Sequence, residues 1–598
     1  MRMRLRGSSA LAALLLLASP AAATPDSDVA AARAVFERNL AAIAERDRDA
    51  YLATYLEAPT LARSGPEGPA LGFEDFVAQA GDGWPEVFEA QDLRLVPVEP
   101  GVVYGTYRYR VVYGTGGEAS EHAGLSERLF LDTGDGWKIA VTSAFDAPRG
   151  TPPPPRALVG ATLVDGTGAP PVPDAVVVMR NGEIECAGSL EACPLPEGIG
   201  VVDLGGRFLT PGLVDAHVHF SQTGWADGRP DALDVRGEHP YPQVIAGLRA
   251  DPQRFFRSYL CSGVTAVFDV GGYPWTWALA DAAESDSRAP RVAAAGPLLS
   301  TLDFWLNLPA ERQFVHLTDE ASARDGVAYL AAGGADAVKV WFIVTGQRPL
   351  DEMERAVAAA GEAARAAGLP LIVHATGLAQ AKAALRAGAG MLVHSVWEEE
   401  IDDEFLRLAK AAGTFYVPTL TVPDGYQRLY AAALDDRAPE IDDPNGCVDA
   451  GTRARVASSA ALDAPVDRAR LAAGRERNER QAANAAANLA RVHAAGIPVA
   501  MGTDAGNPLT LHGPSVYAEL EAMQAAGLPA MEVLVAATAH GARAMGRDDL
   551  GTVAAGKKAD LAVLAADPSA DAAAWRTVTH VVRGGVLRSV AELAAEAR

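Results

Sequence analysis

Cysteine is scarce in this chain, with four among 598 residues, at positions 186, 193, 261 and 447. None forms a CxxC pair, which excludes the thiolate zinc sites built on that spacing. Basic residues are outnumbered, 52 Lys and Arg against 76 Asp and Glu, for a formal net charge of −24. Nucleic acids and anionic membrane surfaces select basic patches, so neither is an expected partner. The apolar run LAALLLLA is too short to span a bilayer, which takes about 20 residues. It follows Arg2, Arg4 and Arg6 and precedes the small residues Ala21-Ala22-Ala23. That pattern predicts a secretory signal peptide over 1–23, with no cysteine at the cleavage site to carry a lipid. The expected location is periplasmic or secreted, with no membrane insertion after signal cleavage. In an oxidising compartment the four cysteines can pair in three ways, and Cys186 with Cys193, close together in IECAGSLEAC, is the favoured pair.

The remaining composition, 49% hydrophobic and 21% charged, is ordinary for a globular protein, and the length calls for several domains. Residues 25–148 begin with helical spacing in DVAAARAVFERNLAAIAERDRDAYLATYL and end in strand-like runs, which predicts an α+β domain. This stretch resembles the cone-shaped domains related to ketosteroid isomerase and polyketide cyclases, most clearly in DGWKIAVTSAF. The resemblance implies an accessory or dimerisation role and leaves room for a homo-oligomer. A second active site there would need its own acid/base pair, for which Asp47, Asp49 and His122 qualify by residue type alone. A Pro-rich linker occupies 149–156. Short strands and turns over 157–209 and again over 548–598 predict a small β-sandwich built from both flanks of a central block. The block itself, 210–547, alternates apolar strands with alanine-rich helices and has the length of a (β/α)8 TIM barrel with insertions, the polar segment 424–480 being the main one. The chain is thus a multidomain α/β protein.

Six polar residues interrupt the apolar strands of that block near their C-terminal ends. They are His217 and His219 in PGLVDAHVHF, Lys339 in DAVKVWF, His374 in LPLIVHATG, His394 in GMLVHSVW and Asp504 in IPVAMGTDAG. Alternation along a strand turns Asp215, His217 and His219 to one face and Ala216, Val218 and Phe220 to the other. Counted in β/α units, the six fall on strands one, four, five, six and eight, and strand C-termini build the active face of such barrels. Imidazole and carboxylate suit zinc and similar divalent ions. A lysine has no lone pair to donate while charged, but burial near cations drives it towards the neutral amine. The amine can take up carbon dioxide to form a carbamate whose two oxygens can bridge two metals.

PGLVDAHVHF, GTDAG and LGTVAAGKKADLAVL resemble the amidohydrolase superfamily of metal-dependent hydrolases over about 157–590. VKVWF and VPTLTV are most similar to its prolidase-like (imidazolonepropionase-like) branch, whose members cleave dipeptides or related amides. The resemblance implies two divalent ions: His217, His219 and Asp504 would hold one, His374 and His394 the other, and N6-carboxylated Lys339 would bridge them. Asp504 would also be the catalytic base and acid. The implied activity is hydrolysis of small-molecule substrates, dipeptides or N-acyl amino acids, at the amide bond. A lactonase, esterase or cyclic-amide hydrolase on the same site is the alternative, and a metal-containing binding protein without turnover is an alternative of another class. His512 and Tyr426 are candidate substrate contacts. His540 reads as structural, and Lys557-Lys558 as a solvated turn.

Overall fold

The computed structural model describes residues 24–65, 68–79, 83–114, 120–146, 154–303, 306–463 and 467–595. The expected signal peptide lies outside them, as does most of the linker. Two compact units result, one from the described residues up to Tyr113 and of 120–146, the other from those beyond 153.

The first unit is α+β. Helices α1 (Pro25–Glu45), α2 (Arg48–Ala53) and α3 (Phe73–Gln79) accompany a six-stranded sheet of order β2-β1-β6-β5-β4-β3. Its strands are β1 (Ala62–Gly65), β2 (Gly68–Leu71), β3 (Val87–Glu99), β4 (Val102–Tyr113), β5 (Ser120–Asp132) and β6 (Trp137–Asp146). Helix α1 is capped by Thr24 and buries one face, including Ala32, Val35 and Phe36, against this sheet. Asp47 caps α2 through the Ala50 N–H, and Asp47, Asp49 and His122 are all exposed, so they form no enclosed acid/base pair. Among its buried polar groups is Arg128, which donates to Asn39 Oδ1 and to the Tyr107 hydroxyl.

In the second unit, both flanks of the central block contribute to one eight-stranded sheet. The first flank supplies β7 (Arg156–Leu163), β8 (Val172–Arg180), β9 (Glu183–Gly188), β10 (Gly200–Asp203) and β11 (Phe208–Pro211). Backbone hydrogen bonds join these to the second flank in a single sheet, where two stacked sheets were expected, and its first part runs on to Pro211. The join is the antiparallel pairing of β11 with β21 (Leu561–Leu564), which continues through β22 (Val578–Arg583) to β23 (Val586–Ser589).

Between the flanks, strands alternate with helices. β12 (Leu213–Val218) leads to α4 (Tyr241–Ala250) and α5 (Gln253–Cys261), then β13 (Val264–Asp269) to α6 (Trp275–Ser285). β14 (Arg291–Ala294), β15 (Leu298–Ser300) and β16 (Phe314–His316) precede α7 (Glu320–Gly333). β17 (Val338–Trp341), β18 (Leu371–His374) and β19 (Met391–Val393) lead to α8 (Leu350–Ala366), α9 (Leu378–Arg386) and α10 (Asp403–Ala412) in turn. After β20 (Phe415–Val417) come α11 (Val422–Leu434), α12 (Ala450–Ala457) and α13 (Arg468–Ala494), and α14 (Ser515–Ala525) follows the extended segment 499–505. The segment expected as an insertion is therefore largely helical.

All these strand pairings are parallel. β14 pairs with β13, and β15, which begins four residues after β14 ends, pairs with β17, so one stretch of chain links the two parallel sheets. At the other side, segment 499–505 bridges Tyr416 through Val499 and Val218 through Ala505. Gly502 permits that approach, because a Cβ there would come within 2.7 Å of the His217 Cβ. Alternate residues feed two apolar clusters: Ala337 and Ile372 join the smaller, Val338 and Val373 the larger. Two residues beyond Ala337 and Ile372 on the same strand face stand Lys339 and His374.

Strand β12 departs from simple alternation. Val214 and Ala216 enter the smaller cluster, whereas Val218 and Phe220 enter the larger. The register with β13 shifts between Asp215 and Val218, and this irregularity changes the phase of the side chains at His217.

The cysteines form two disulfides, Cys186–Cys193 and Cys261–Cys447, the second tying the end of α5 to the loop between α11 and α12. The start of α11 is held by the fully buried Glu519 of α14, which accepts from the Leu420 and Thr421 N–H groups and the Thr421 hydroxyl.

Two outcomes are expected. The disulfides close loops with sequence separations of 186 and 7 residues, so removing Cys261–Cys447 as the double alanine variant should cost about 5 kcal/mol, against about 2–3 for Cys186–Cys193. Melting temperatures of the two double variants check the order. Burial pushes the Glu519 carboxyl up to about 7 despite its hydrogen bonds. Between its unfolded value near 4.5 and about 7 the folded protein keeps a proton that the unfolded chain has lost. Its contribution is therefore greatest below that window, falls as pH rises through it, and is flat above. Denaturant midpoints from pH 5 to 7 should decline less steeply in Glu519→Gln.

Candidate active site

Each of the six polar residues picked out in the strands lines one cavity of ≈ 190 Å³. His217 and Lys339 sit on β12 and β17 and His374 ends β18, while His219, His394 and Asp504 lie just past a strand or on the closing segment. The Asp504 carboxylate is their meeting point. Its Oδ1 lies 3.0 Å from His219 Nε2 and 3.2 Å from His217 Nε2, and its Oδ2 lies 4.0 Å from His394 Nε2. The rings of His374 and His394 are 4.4 Å apart between centroids. His217, His394 and Asp504 can offer ligand atoms that all lie within 4.8 Å of one another.

Backbone geometry sets these side chains. Asp504 and His394 have φ of 59° and 70°, left-handed values that cost a non-glycine residue about 1–2 kcal/mol. The Asp504 N–H donates to the His217 carbonyl at 2.7 Å, and the His219 N–H to the Ala505 carbonyl at 2.8 Å, which holds the first strand against the last segment. Strained backbone retained in this way at a polar cavity is a mark of a functional site.

The electrostatics favour the neutral form of three of the imidazoles. Burial, then the charge of neighbouring groups, holds His217, His374 and His394 well below the usual histidine range. Burial also brings Lys339 down to about 7, although Asp504 and Asp269 oppose it. His219 donates Nδ1–H to the Gly271 carbonyl at 2.7 Å, which leaves the Nε2 lone pair facing Asp504. His394 Nδ1 is likewise 2.7 Å from the Thr419 hydroxyl. Both His217 nitrogens and Asp504 Oδ1 are buried without a hydrogen-bond partner. Buried lone pairs without donors are costly, and this convergence of imidazole and carboxylate fits a divalent ion. His217, His394 and Asp504 would hold it, with His219 and His374 beside them.

Several contributors escaped the sequence reading. Asp215 accepts from the Thr503 N–H (2.9 Å) and hydroxyl (2.6 Å), so it secures the residue next to Asp504. Burial raises its carboxyl to about 7. Asp269 accepts from the Gly271 N–H at 3.1 Å and so steadies the carbonyl that orients His219. Both acids stand in apolar runs, and that was the available signal. Arg229 also lines the cavity, its guanidinium forked on Asp231 at 2.8 and 2.7 Å and bonded to Asn507 Oδ1. The Tyr426 hydroxyl donates to the same Asn507 oxygen at 2.6 Å, so Tyr426 is at the cavity wall. Burial works against the Arg229 charge, but Tyr426, Asp231 and Asp504 hold its pKa above the usual value. Nothing in a loop reading of GRPD or AGNP marks Arg229 or Asn507.

His512 is elsewhere. It stacks on Phe255 (3.9 Å between centroids) and Phe220 (5.9 Å), and its Nε2 lies 3.1 Å from the His219 carbonyl. It is 3% exposed and absent from the cavity lining, so it supports His219 from behind rather than meeting substrate. The larger aromatic cluster claims its ring, a preference that spacing after the strand does not reveal. His540 is half-buried, with Nδ1 2.8 Å from the Val499 carbonyl, and Lys558 pairs with Glu183 at 2.9 Å.

The amidohydrolase family pattern matches residues 208–588. The chain belongs to that family. An imidazolonepropionase of Acidiphilium cryptum is 29% identical over 299 residues, which cover 46% of this amidohydrolase and 70% of the relative. A solved Xaa-Pro dipeptidase with bound methionine is similar over 73% of this chain and all of its own, at 22% identity and a TM-score of 0.56. The ochratoxinase of A. niger covers 74% and 98% at 21% identity and a TM-score of 0.55. The structural likenesses bear on fold alone and imply a TIM-barrel catalytic domain with an additional domain.

Partners of a metal ligand set its affinity, typically by ten- to a hundredfold. Thr503→Val removes the hydroxyl that Asp215 accepts from. Zinc affinity measured by chelator competition should fall about tenfold or more, and the melting temperature of the metal-free protein should fall as well, because Asp215 Oδ2 is left buried without its donor.

Proposed function

We propose that this amidohydrolase is an exported hydrolase that cleaves the amide bond of a small substrate bearing a free carboxylate, either a dipeptide or an N-acyl amino acid. The observation that carries the reading is the shared cavity: four imidazoles, Lys339 and Asp504 at one end, the Arg229 guanidinium at its wall. The family match and the amide-cleaving names among its relatives support it. We read β12, β13, β14 continued by β15, β17, β18, β19, β20 and the segment 499–505 as the eight staves of one barrel whose mouth holds this site. Two disulfides agree with an oxidising compartment, and hence with export.

Two divalent ions, zinc by donor chemistry, would supply water activation and carbonyl polarisation when bound. His217, His219 and Asp504 would hold one and His374 and His394 the other. Lys339, with its pKa near 7, is available as the free amine. Addition of that amine to carbon dioxide would form an N–C bond and release one proton, and the anionic carbamate would make Lys339 a further residue able to hold the ions. Arg229, pre-oriented by Asp231 and Asn507, takes the substrate carboxylate as a bidentate partner and so fixes the scissile carbonyl beside Asp504. Asp504 accepts the proton of the attacking water and returns it to the departing nitrogen, acting first as general base and then as general acid. Trp341 and Trp397, at the cavity wall beside His374 and His394, limit the access of bulk water.

The test is amine release from dipeptides and N-acyl amino acids by protein loaded with zinc and bicarbonate, with lactones and esters alongside. Amides should be turned over. Asp504→Asn should lower kcat by about 10²–10⁴-fold, and Lys339→Ala should abolish turnover. Arg229→Met should raise KM for carboxylate substrates but not for their carboxamide analogues. Full activity in Asp504→Asn, or turnover of lactones and esters alone, would refute the proposal.

A further inference from the structure

The catalytic cavity has a neighbour. A second cavity of ≈ 530 Å³ lies beside α11 and α13, and Trp397 lines both. The two faces of α11 divide between them. Val422 and Tyr426 face the first cavity, while Pro423, Gln427 and Ala431 face the second, each set at four-residue spacing. Trp397 is also the step between them, since its ring lies 5.8 Å from that of the metal-site residue His394.

Besides Trp397, the lining of the larger cavity includes the apolar side chains of Pro418, Leu420, Pro423 and Ala485. Its charged residues are Arg428, Arg437 and Arg475 against Asp424, Asp435, Glu440 and Glu479. With three of one sign and four of the other, the groove has no strong preference for a charged ligand segment. It does offer apolar wall to a flexible chain.

The inner cavity adds a second constraint. Its acidic lining residues are Asp231 and Asp504. Asp231 is already forked by Arg229, and Asp504 lies among the metal-site imidazoles. A dipeptide would carry its α-ammonium one carbon from the scissile carbonyl, beside the imidazoles that would hold the divalent ions. Among the described lining residues no carboxylate is left to receive it. An acyl chain at the same position brings no charge to desolvate.

We infer that the substrates of this site are N-acyl amino acids with an extended apolar acyl group, which passes Trp397 and lies in the groove between α11 and α13. The inference rests on the amide-hydrolase reading and narrows it. The amino-acid carboxylate stays on Arg229, and the scissile carbonyl stays at Asp504. Water adds to the acyl carbon, the C–N bond breaks, and the products are a long-chain carboxylate and a free amino acid that carries off the proton.

The experiment is a series of N-acyl derivatives of one amino acid, from acetyl to octanoyl, with the matching free dipeptides, assayed on the zinc-loaded full chain. kcat/KM should rise about two- to fourfold per added methylene, as expected for progressive burial of an alkyl chain. Ala482→Trp, a substitution at an exposed α13 position on the groove, should collapse the octanoyl-to-acetyl ratio towards one. Equal kcat/KM for acetyl and octanoyl substrates, or preference for free dipeptides, would overturn the inference while leaving the amide reading intact. If no amide is turned over, calorimetric titration with octanoate and acetate decides. Octanoate binding at least about tenfold tighter, and weakened by Ala482→Trp, keeps the groove and discards the amide reading. Equal binding discards both.

Discussion

Desolvation of charge at one cavity is the constraint on which the rest of the second unit depends. Four imidazoles, an amine and a carboxylate converge where water is largely excluded, and the protein answers by keeping His217, His374 and His394 neutral and lowering Lys339. Such a cluster can persist only if the surrounding frame is rigid, because relaxation would let water or stray hydrogen bonds satisfy it. The frame is supplied by Asp215 on Thr503, Asp269 on Gly271 and the stacked His512 behind His219. None of these need touch a substrate. Each fixes a residue of the cluster or one that adjoins it.

A second layer of organisation lies on α11. Its first turn hangs from Glu519, and one of its faces brings Tyr426 to Asn507 and Arg229. The loop after it is pinned to α5 through Cys261–Cys447. The helix is therefore fastened at its beginning and just beyond its end, with cavities along its length. A wall fixed at its ends can carry different side chains on its faces without disturbing the metal-site residues.

Much of this was readable from the sequence because the signal is local. A histidine or lysine that interrupts an apolar strand is conspicuous, and the strand-and-helix rhythm placed such residues at strand ends. What escaped depends on distant pairing. The phase change at His217 follows from a register shift against β13, and no alternation pattern within PGLVDAHVHF contains that information. Arg229 and Asn507 meet across 278 residues, and both stand in loops whose geometry the strands decide. His512 looked suited to the cavity, and packing against Phe220, Phe255 and Tyr259 placed it behind His219 instead. Of the disulfides, the pair seven residues apart could be anticipated, whereas the pair 186 apart needed the fold.

The pairing of β11 with β21 has a consequence for the order of folding. Thr210 lies opposite Ala562, so the sheet begun at Arg156 is joined across its middle by residues separated by 352 positions. Contacts of that range close late, because the loop entropy between them must be overcome before they return any stabilisation. The sheet borders the start of β12, with the Gly212 N–H donating to the Asp560 carbonyl three residues before Asp215. Assembly of the metal-site strand is thus coupled to the last strands made, and a nascent chain halted before residue 560 would carry every ligand yet lack the seam that seats them.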